Sequence, residues 1–347
     1  TLAIDGRDNL ELSGRVVELT ITQDQTGLSR CEVLFDNWGS VDQDFGYVLS
    51  DRRLVDFGKT LDVKHTEDGS LLFSGRMMAL EGMFLANGAR LLRVLAEDRL
   101  QDLRMTRRTR HFGDEESVTD GDVIQQIARD HGLQTNLDIE EVSHKRIVQV
   151  NESDLALLRR LVRALDADLW LDGDTLHVVS RSRHGGQPLE LAYQERLLEF
   201  VVLADLAEQR TGVTVSGWDA QNKQAVSYEA TDSAIRGEVA GLESGVSLLS
   251  QAIGELKDVI AHTVALDDAE AEARAKAYFR MRARRFVTGT AIVRTSGNYR
   301  IGQKVNFTEL DAIFNGEYVI TGVQHLFDTY GGGLRTELLV ERPGIGQ

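Results

Sequence analysis

Few side chains of this sequence combine the residue types and the spacing that a chemical site requires. The Asp-Gly-Asp at 172–174 places two carboxylates around a glycine, but the acidic series and terminal Glu of a twelve-residue calcium loop are missing. The Gly-Lys-Thr at 58–60 ends like a phosphate loop, yet Arg53 stands where that loop needs its first glycine. We interpret residues 172–174 as a hairpin turn, and the glycine triplet at 331–333 as another turn.

The histidines are spaced too irregularly for a common metal site, because neither an HExxH motif nor a cysteine pair occurs. His325 alternates with Val323 and Phe327, which is typical of a histidine packed in a strand. We expect no metal-binding residue. The other histidines are scattered along the chain: His65, His111, His131, His144, His177, His184 and His262.

Covalent and hydrolytic chemistry also lacks candidates. Cys31, the single cysteine, alternates with Val33 and Phe35, so we interpret it as a core residue in a chain assembled in the cytoplasm. No GxSxG motif occurs, and the carboxylates stand in turns, caps and helix starts, where capping accounts for them. We therefore expect no catalytic or cofactor-binding residue and a protein that is not an enzyme.

The charge balance disfavours a nucleic-acid partner. With 55 acidic and 39 basic residues, the formal net charge is −16, which repels a phosphate backbone. The basic run at 104–110 is interpreted as a solvated turn that docks on an acidic neighbour. No apolar run approaches the roughly 18 residues of a membrane span, so we expect no stable membrane anchor.

The elements that would position these residues begin with a β segment. Val17, Leu19 and Ile21 alternate with polar residues, and Asp-Gly and Asn-Gly pairs at 68–69 and 87–88 indicate hairpin turns. We assign residues 1–97 to a first β-barrel domain.

Residues 98–187 change from a strand period to a helical one. Thr119 with Asp122 predicts a helix N-terminus, and Asn151 with Asp154 predicts a second one before an apolar stripe. Residues 169–179 then form two short strands around the turn at 172–174. We assign a small α/β domain with two helices and a hairpin.

Residues 188–347 return to the strand period. A long helix at about 266–285 interrupts them, with acids in its first turns and arginines in its last turns, as the helix dipole favours. Residues 233–262 predict an irregular or partly helical surface connection. The predicted fold is mixed and mainly β: two tube-like β-barrels flanking the α/β domain, with the long helix inserted into the second.

Three segments resemble one known family. Residues 148–179, 212–224 and 301–343 are similar, in this order, to late control protein D of tailed phages and to VgrG-type spike proteins. The first segment contains NESDLALLRRL before a hairpin, the second GWD after a strand, and the third NGEYVITGVQH. Leu157 stands where the family often has Phe, which keeps the apolar face.

The resemblance implies an assembly role in a contractile injection system or phage tail. Such proteins are trimeric hubs at the spike base, in which two tube-like barrels per chain match a sixfold inner tube to a threefold spike. The implied partners are further copies of the chain, the inner-tube protein, baseplate proteins, a PAAR-like spike tip and cargo effectors. In the family an OB-fold and a needle follow, and these would lie on a separate chain or in a distal part.

Two other classes stay open at this point. A delivered effector or peptidoglycan hydrolase would need a catalytic cleft with two carboxylates. A carbohydrate- or receptor-binding β-module would need exposed aromatic side chains as a binding platform, and the sequence has only 3 Trp and 7 Tyr. The composition does not distinguish a phage from a secretion system or an extracellular injection particle.

Overall fold

The computed structural model describes residues 1–41, 44–113, 116–219, 222–331 and 333–346, without the side chains of 261–264. The His262 side chain, the middle glycine of the 331–333 triplet and residues 220–221 therefore lie outside the described residues. In the described ranges, no helix combines the length and apolarity that a membrane span needs.

The first β half forms from the alternating segments at the N-terminus. Leu19 and Ile21 of one strand and Cys31 of the next are fully or almost fully buried, as their alternation predicted. The elements are β1 (Leu2–Ile4), β2 (Arg7–Asp8), α1 (Leu10–Gly14), β3 (Val16–Asp24), β4 (Arg30–Asp36), β5 (Trp38–Val41), β6 (Asp44–Tyr47), β7 (Thr60–Lys64), β8 (Leu71–Phe84) and β9 (Arg90–Glu97).

The α/β unit follows directly and has a core of its own. Thr119 and Asp122 form the predicted capping box, because each side chain accepts the other residue's backbone N–H. Its elements are α2 (Leu100–Arg104), β10 (Arg107–Phe112), β11 (Val118–Thr119), α3 (Asp120–Asp130), β12 (Gln134–Asp138), β13 (Ser143–His144), β14 (Ile147–Ser153), α4 (Asp154–Ala164), β15 (Ala167–Asp172) and β16 (Thr175–Ser180).

The second helix begins later than predicted. Its N-cap is Ser153, whose side chain accepts the N–H of Ala156, and Asn151 lies in β14 with a φ of 46°. The prediction failed because Asp154, taken there for a partner of the cap, is buried and hydrogen-bonded to other side chains.

The second β half contains an insertion that is larger than the single long helix predicted from the sequence. The half and its insertion comprise β17 (Leu189–Ala192), β18 (Leu197–Ala204), β19 (Gly212–Asp219), β20 (Gln224–Thr231), β21 (Glu243–Ser244), α5 (Gly245–Ala252), β22 (Lys257–Ala265), α6 (Asp268–Arg284), β23 (Val287–Val293), β24 (Lys304–Thr308), β25 (Gly316–Asp328), β26 (Gly333–Arg342) and β27 (Gly344–Ile345).

The insertion is a small unit in which α6 packs on a separate three-stranded sheet, β20-β19-β22. Val213 and Val215 lie in this sheet, within the range 188–347 that the sequence analysis assigned to the second barrel. The connection at 233–262 is partly helical as expected, through α5, but β22 was missed because its pairing partner, β19, lies 45 residues earlier.

The two β halves share one hydrogen-bonded sheet. Its order is β18-β23-β26-β25-β3-β4-β9-β8-β7-β1-β2, with β24 on β25 and β17 on β24. β25 and β3 join the halves as antiparallel neighbours, with His325 opposite Ile21. Each half nevertheless has its own core. The mainly-β prediction is confirmed, whereas closure into barrels and the boundaries at 97 and 187 stay predictions.

Candidate functional site at the junction of the units

A buried group of charged side chains lies where the α/β unit, the insertion and the second β half meet. Arg284, in the last turn of α6, donates from Nη1 to Oδ1 of Asp166 at 2.5 Å and from Nη2 to Oδ2 at 2.8 Å. The same guanidinium donates from Nε and Nη2 to Glu238, both at 2.7 Å. One arginine therefore joins carboxylates on two separate segments, an arrangement that we call the Arg284 clamp.

The Arg284 clamp holds its charges in spite of burial. Burial alone would lower the pKa of Arg284, but the hydrogen bonds with Glu238 and the charge of Asp166 raise it. Burial raises the pKa of the Asp166 carboxyl, which Arg284 opposes. We take Asp166 as ionised, because the two-pronged geometry uses both of its oxygens as acceptors.

A second ion-pair group continues the junction into β26. Arg181, in the 3-10 turn at Arg181–Arg183, pairs with Glu341 of β26. Its Nε also lies 3.6 Å from Oδ1 of Asp168 in β15. Asp168 is bonded to His184, Nε2 to Oδ2, at 2.9 Å. Burial would lower the pKa of Arg181, yet the nearby Glu341 and Asp168 raise it. Charges on the α/β unit therefore contact the second β half.

Ring stacking closes the same junction. His177 and His184 both stack on Trp170, with centroid distances of 4.9 and 5.9 Å. His184 also lies against Gly302, where a Cβ would stand 2.0 Å from the imidazole Cε1. Gly302 has a φ of 79° and precedes β24, so only glycine lets the second β half approach this closely. The two histidines thus serve packing.

The basic run at 104–110 is largely exposed, as expected, but it is not a turn. Most of it forms β10, which pairs with β14, and Arg110 donates to Asp130 and Asp154, both at 2.8 Å. Burial would raise the pKa of Asp154, but hydrogen bonds from His131 and Gln149 and the nearby arginines lower it. The run does meet acidic neighbours, and these belong to its own chain.

The other sequence candidates have structural positions. Residues 172–174 form the turn between β15 and β16, and Asp174 pairs with Arg99. Lys59 donates to the carbonyl of Arg53, and His325 is bonded to Thr336, Nδ1 to Oγ1, at 2.8 Å. Within the described part of the chain, no group of three or more His, Cys, Asp or Glu side chains could hold a metal ion.

Aromatic side chains gather at one end of the first β half. Trp38 contacts Tyr47 edge to face at 5.2 Å, and Arg90 lies 3.8 Å above the Trp38 ring. Phe84 meets Tyr47 at 6.1 Å, also edge to face. Because Arg90 covers the Trp38 ring and the contacts are edge-on, this group does not form the flat platform of a sugar-binding module.

The residues of the junction were missed at the level of sequence. Arg284 was assigned to the helix dipole, and Asp166 and Asp168 lie between the predicted apolar stripe of the second helix and the strands predicted at 169–179, so no role was predicted for them. The available signal was the pair of acids in LDADLW, which alternate with apolar residues at buried positions. An acid in a core register requires a cation, and the arginines of α6 were candidates.

The comparisons with known proteins concern both sequence and fold. A family model described as the Alg8 N-terminal domain matches residues 1–328. No curated protein matches the sequence significantly. Among solved structures, the 43 kDa tail protein of prophage MuSo2 from Shewanella oneidensis is similar with a TM-score of 0.68 and 14% identity, over 94% of each chain.

Two further structures are similar over nearly the whole chain. The tail protein from Neisseria meningitidis MC58 has a TM-score of 0.68 and 14% identity, over 99% of this chain and 96% of that one. The E. coli c3393 protein is described as a component of the type VI secretion system, similar to T4 tail proteins gp27 and gp5. It has a TM-score of 0.57 and 12% identity, over 99% of this chain and 76% of that one. The fold is therefore that of phage tail proteins.

Proposed function

We propose a function from two premises: this chain belongs to the Alg8 N-terminal domain family, and it has the fold of phage tail proteins. The proposed function is a non-enzymatic structural component of a phage tail or a related contractile injection particle. The likeness to a type VI secretion component supports the wider class, and membership of the late control protein D and VgrG group is part of the proposal.

The observation that carries the proposal is the joined sheet. Two β halves with separate cores are hydrogen-bonded through β3 and β25 into one sheet. A chain with two such halves can supply two positions of a ring, so three chains would supply six. We therefore propose a homotrimeric hub that joins a sixfold inner tube and baseplate to a threefold spike.

The junction fits a part that transmits force. The Arg284 clamp and the Arg181 group tie the α/β unit and the insertion to the sheet through buried ion pairs, whose loss leaves an unpaired buried charge. In the proposed hub, these contacts would keep the units in register while the spike is driven into a target envelope. The inner-tube protein, baseplate proteins, a PAAR-like tip and cargo effectors are the proposed partners.

Light scattering after size exclusion tests the oligomer. We expect a mass three times the 38.6 kDa of one chain and co-sedimentation with inner-tube rings. A monomer at micromolar concentration that fails to co-sediment would contradict the hub. Electron microscopy of particles with a tagged chain tests the place, which we expect at the tube-to-spike junction after assembly in the bacterial cytoplasm.

A peptidoglycan-clearing assay separates the alternative of a delivered hydrolase. We expect no clearing by the purified chain. Clearing by the purified chain would favour the enzyme.

A further inference from the structure

The insertion meets the α/β unit along one face of α6. A different face packs on the insertion's own sheet and carries the buried side chains Ala271, Ala275, Phe279 and Ala283. Arg284 lies away from that face, where it pairs with Asp166, and α6 also contacts α4 of the α/β unit. At helical spacings of three and four residues, the face of Arg284 continues back through Ala277 and Arg274 to Glu270. Glu270 therefore lies on the side of α6 that is turned to the α/β unit.

The two ends of this face differ in their chemistry. Arg284, in the last turn, is charged at every physiological pH. Glu270, in the first turn, lies about 20 Å away along the helix, at about 1.5 Å per residue. Its carboxylate is held in place, because Oε2 accepts the N–H of Leu266 at 2.7 Å and Oε1 pairs with Arg274. The Arg284 clamp fixes the last turn of α6, so the first turn depends on other contacts.

A histidine of the α/β unit lies within electrostatic reach of that first turn. His144, in β13, is bonded to Asp120 at the start of α3, Nε2 to Oδ2, at 3.0 Å. The Asp120 side chain is 4% exposed and the His144 side chain 20%. The charge of the imidazole also interacts with Glu270 and Arg274 of α6. A further carboxylate, that of Glu141, lies against the first turn of α3. His144 therefore faces acids of both units and one base.

These surroundings favour the protonated form of His144. The hydrogen bond to Asp120 raises the pKa of His144, and burial lowers it. The charges of Asp120 and Glu270 raise the pKa further, whereas that of Arg274 lowers it, and the result lies above the usual value of about 6.5. A group with a raised pKa contributes fully below its unfolded value, and its contribution is lost as pH rises through the folded value. The contact is therefore strongest in mild acid.

We propose that His144 is a proton-sensitive latch: in mild acid its charged imidazole holds the first turn of α6, and with it the insertion, against the α/β unit, and a rise in pH releases that turn. The imidazolium attracts Asp120 in its own unit and Glu270 in the insertion, so protonation adds an attraction between the two units. The neutral imidazole keeps the hydrogen bond to Asp120 but loses this attraction. The Arg284 clamp retains the last turn at either pH. The proposal does not depend on the proposed assembly role.

Hydrogen exchange followed by mass spectrometry on the purified full chain tests the latch. Samples at about pH 6.5 and about pH 8.5 are labelled for times scaled to equal intrinsic exchange. We expect peptides that cover residues 266–274 to be about threefold more protected at the lower pH, and peptides that cover 280–285 to be equally protected at both. His325, with a pKa of about 4, is neutral in the folded chain at both pH values.

Conservative variants assign the effect to its residues. His144→Gln keeps a donor for Asp120 but cannot be protonated, so the difference between the two pH values should disappear. Glu270→Gln keeps an acceptor for the N–H of Leu266 but removes the charge on α6, and it should reduce the difference in the same way. His131→Gln is the matched control, because His131 forms another histidine–aspartate pair of the α/β unit, and it should leave the difference unchanged.

Three results would overturn the proposal. The first is equal protection of residues 266–274 in the unmodified chain at both pH values. The second is a difference that both His144→Gln and Glu270→Gln leave intact. The third is an equal change at 280–285, which would assign the pH dependence to the whole of α6 instead of to its first turn. None of these outcomes bears on the mass or position of the proposed hub.

Discussion

Replacement of Arg284 by Met should destabilise the junction strongly. Met keeps much of the side-chain volume but removes four hydrogen bonds. The buried Asp166 carboxylate then keeps only the weaker ion pair with Arg280, whose Nη1 lies 3.8 Å from Oδ2. The side chains of Arg284 and Asp166 are 4% and 6% exposed, so water cannot replace the lost partner. Glu238 is 24% exposed and can turn to solvent. We expect a loss of about 3–5 kcal/mol.

The assay is urea unfolding followed by tryptophan fluorescence, since Trp170 lies at the junction, with hydrogen exchange to locate the change in α6 and β15. Arg282→Met is the matched control, because Arg282 lies on the same helix but pairs with Asp258 at half-exposed positions. It should lose no more than about 1 kcal/mol. Adding Asp166→Asn to Arg284→Met should recover part of the stability, because the buried charge that has lost its hydrogen-bonded arginine disappears. A loss for Arg284→Met within 1 kcal/mol of the control would refute the reasoning.

Three further predictions concern other parts of the fold. Burial lowers the pKa of His325 from 6.5 to about 4, so the unfolded chain binds a proton at a higher pH than the folded chain does. The contribution of His325 to stability should be full above pH 6.5 and should fall by about 3 kcal/mol towards pH 4. His325→Gln should reduce this pH dependence in urea unfolding. Gly217→Ala would place a Cβ 1.9 Å from the carbonyl oxygen of Ala265 and should cost about 1–3 kcal/mol in urea unfolding, while Gly14→Ala, with open space around it, should be close to neutral. Thr119→Ala removes one side of the capping box and should cost about 1 kcal/mol in thermal unfolding; an unchanged midpoint would contradict that role.

Local patterns predicted local structure well. The alternation around Leu19 and Cys31, the capping box at Thr119 and the polarity of α6 all depend on residues within a few positions of each other, and the structure confirms them. The mainly-β fold followed from such patterns, and the likeness to tail proteins agrees with the resemblance of the three segments.

Long-range pairing was beyond these patterns. The partner of β22 is β19, and the partner of Arg284 is Asp166, 118 residues earlier. Strand pairing across such distances depends on which sheet edges meet in three dimensions. An arginine in the last turn of a helix interacts favourably with the helix dipole whether or not it also pairs with a buried acid, so its position in the sequence does not reveal the pair. The ion pairs of the junction could therefore be identified only from the contacts between the folded units.

The pairing of β3 with β25 has a consequence for synthesis. Thr329 donates to the carbonyl of Val16 across 313 residues, so β3 lacks this neighbouring strand until about 300 further residues have been synthesised. At a translation rate of roughly 5–20 residues per second, the edge of β3 stays unpaired for about 15–60 seconds. During that interval the nascent chain carries an unpaired strand beside an assembled core, which is a state prone to aggregation. We expect the yield of folded protein in cells to depend on the rate of translation and on chaperones that bind the β3 edge.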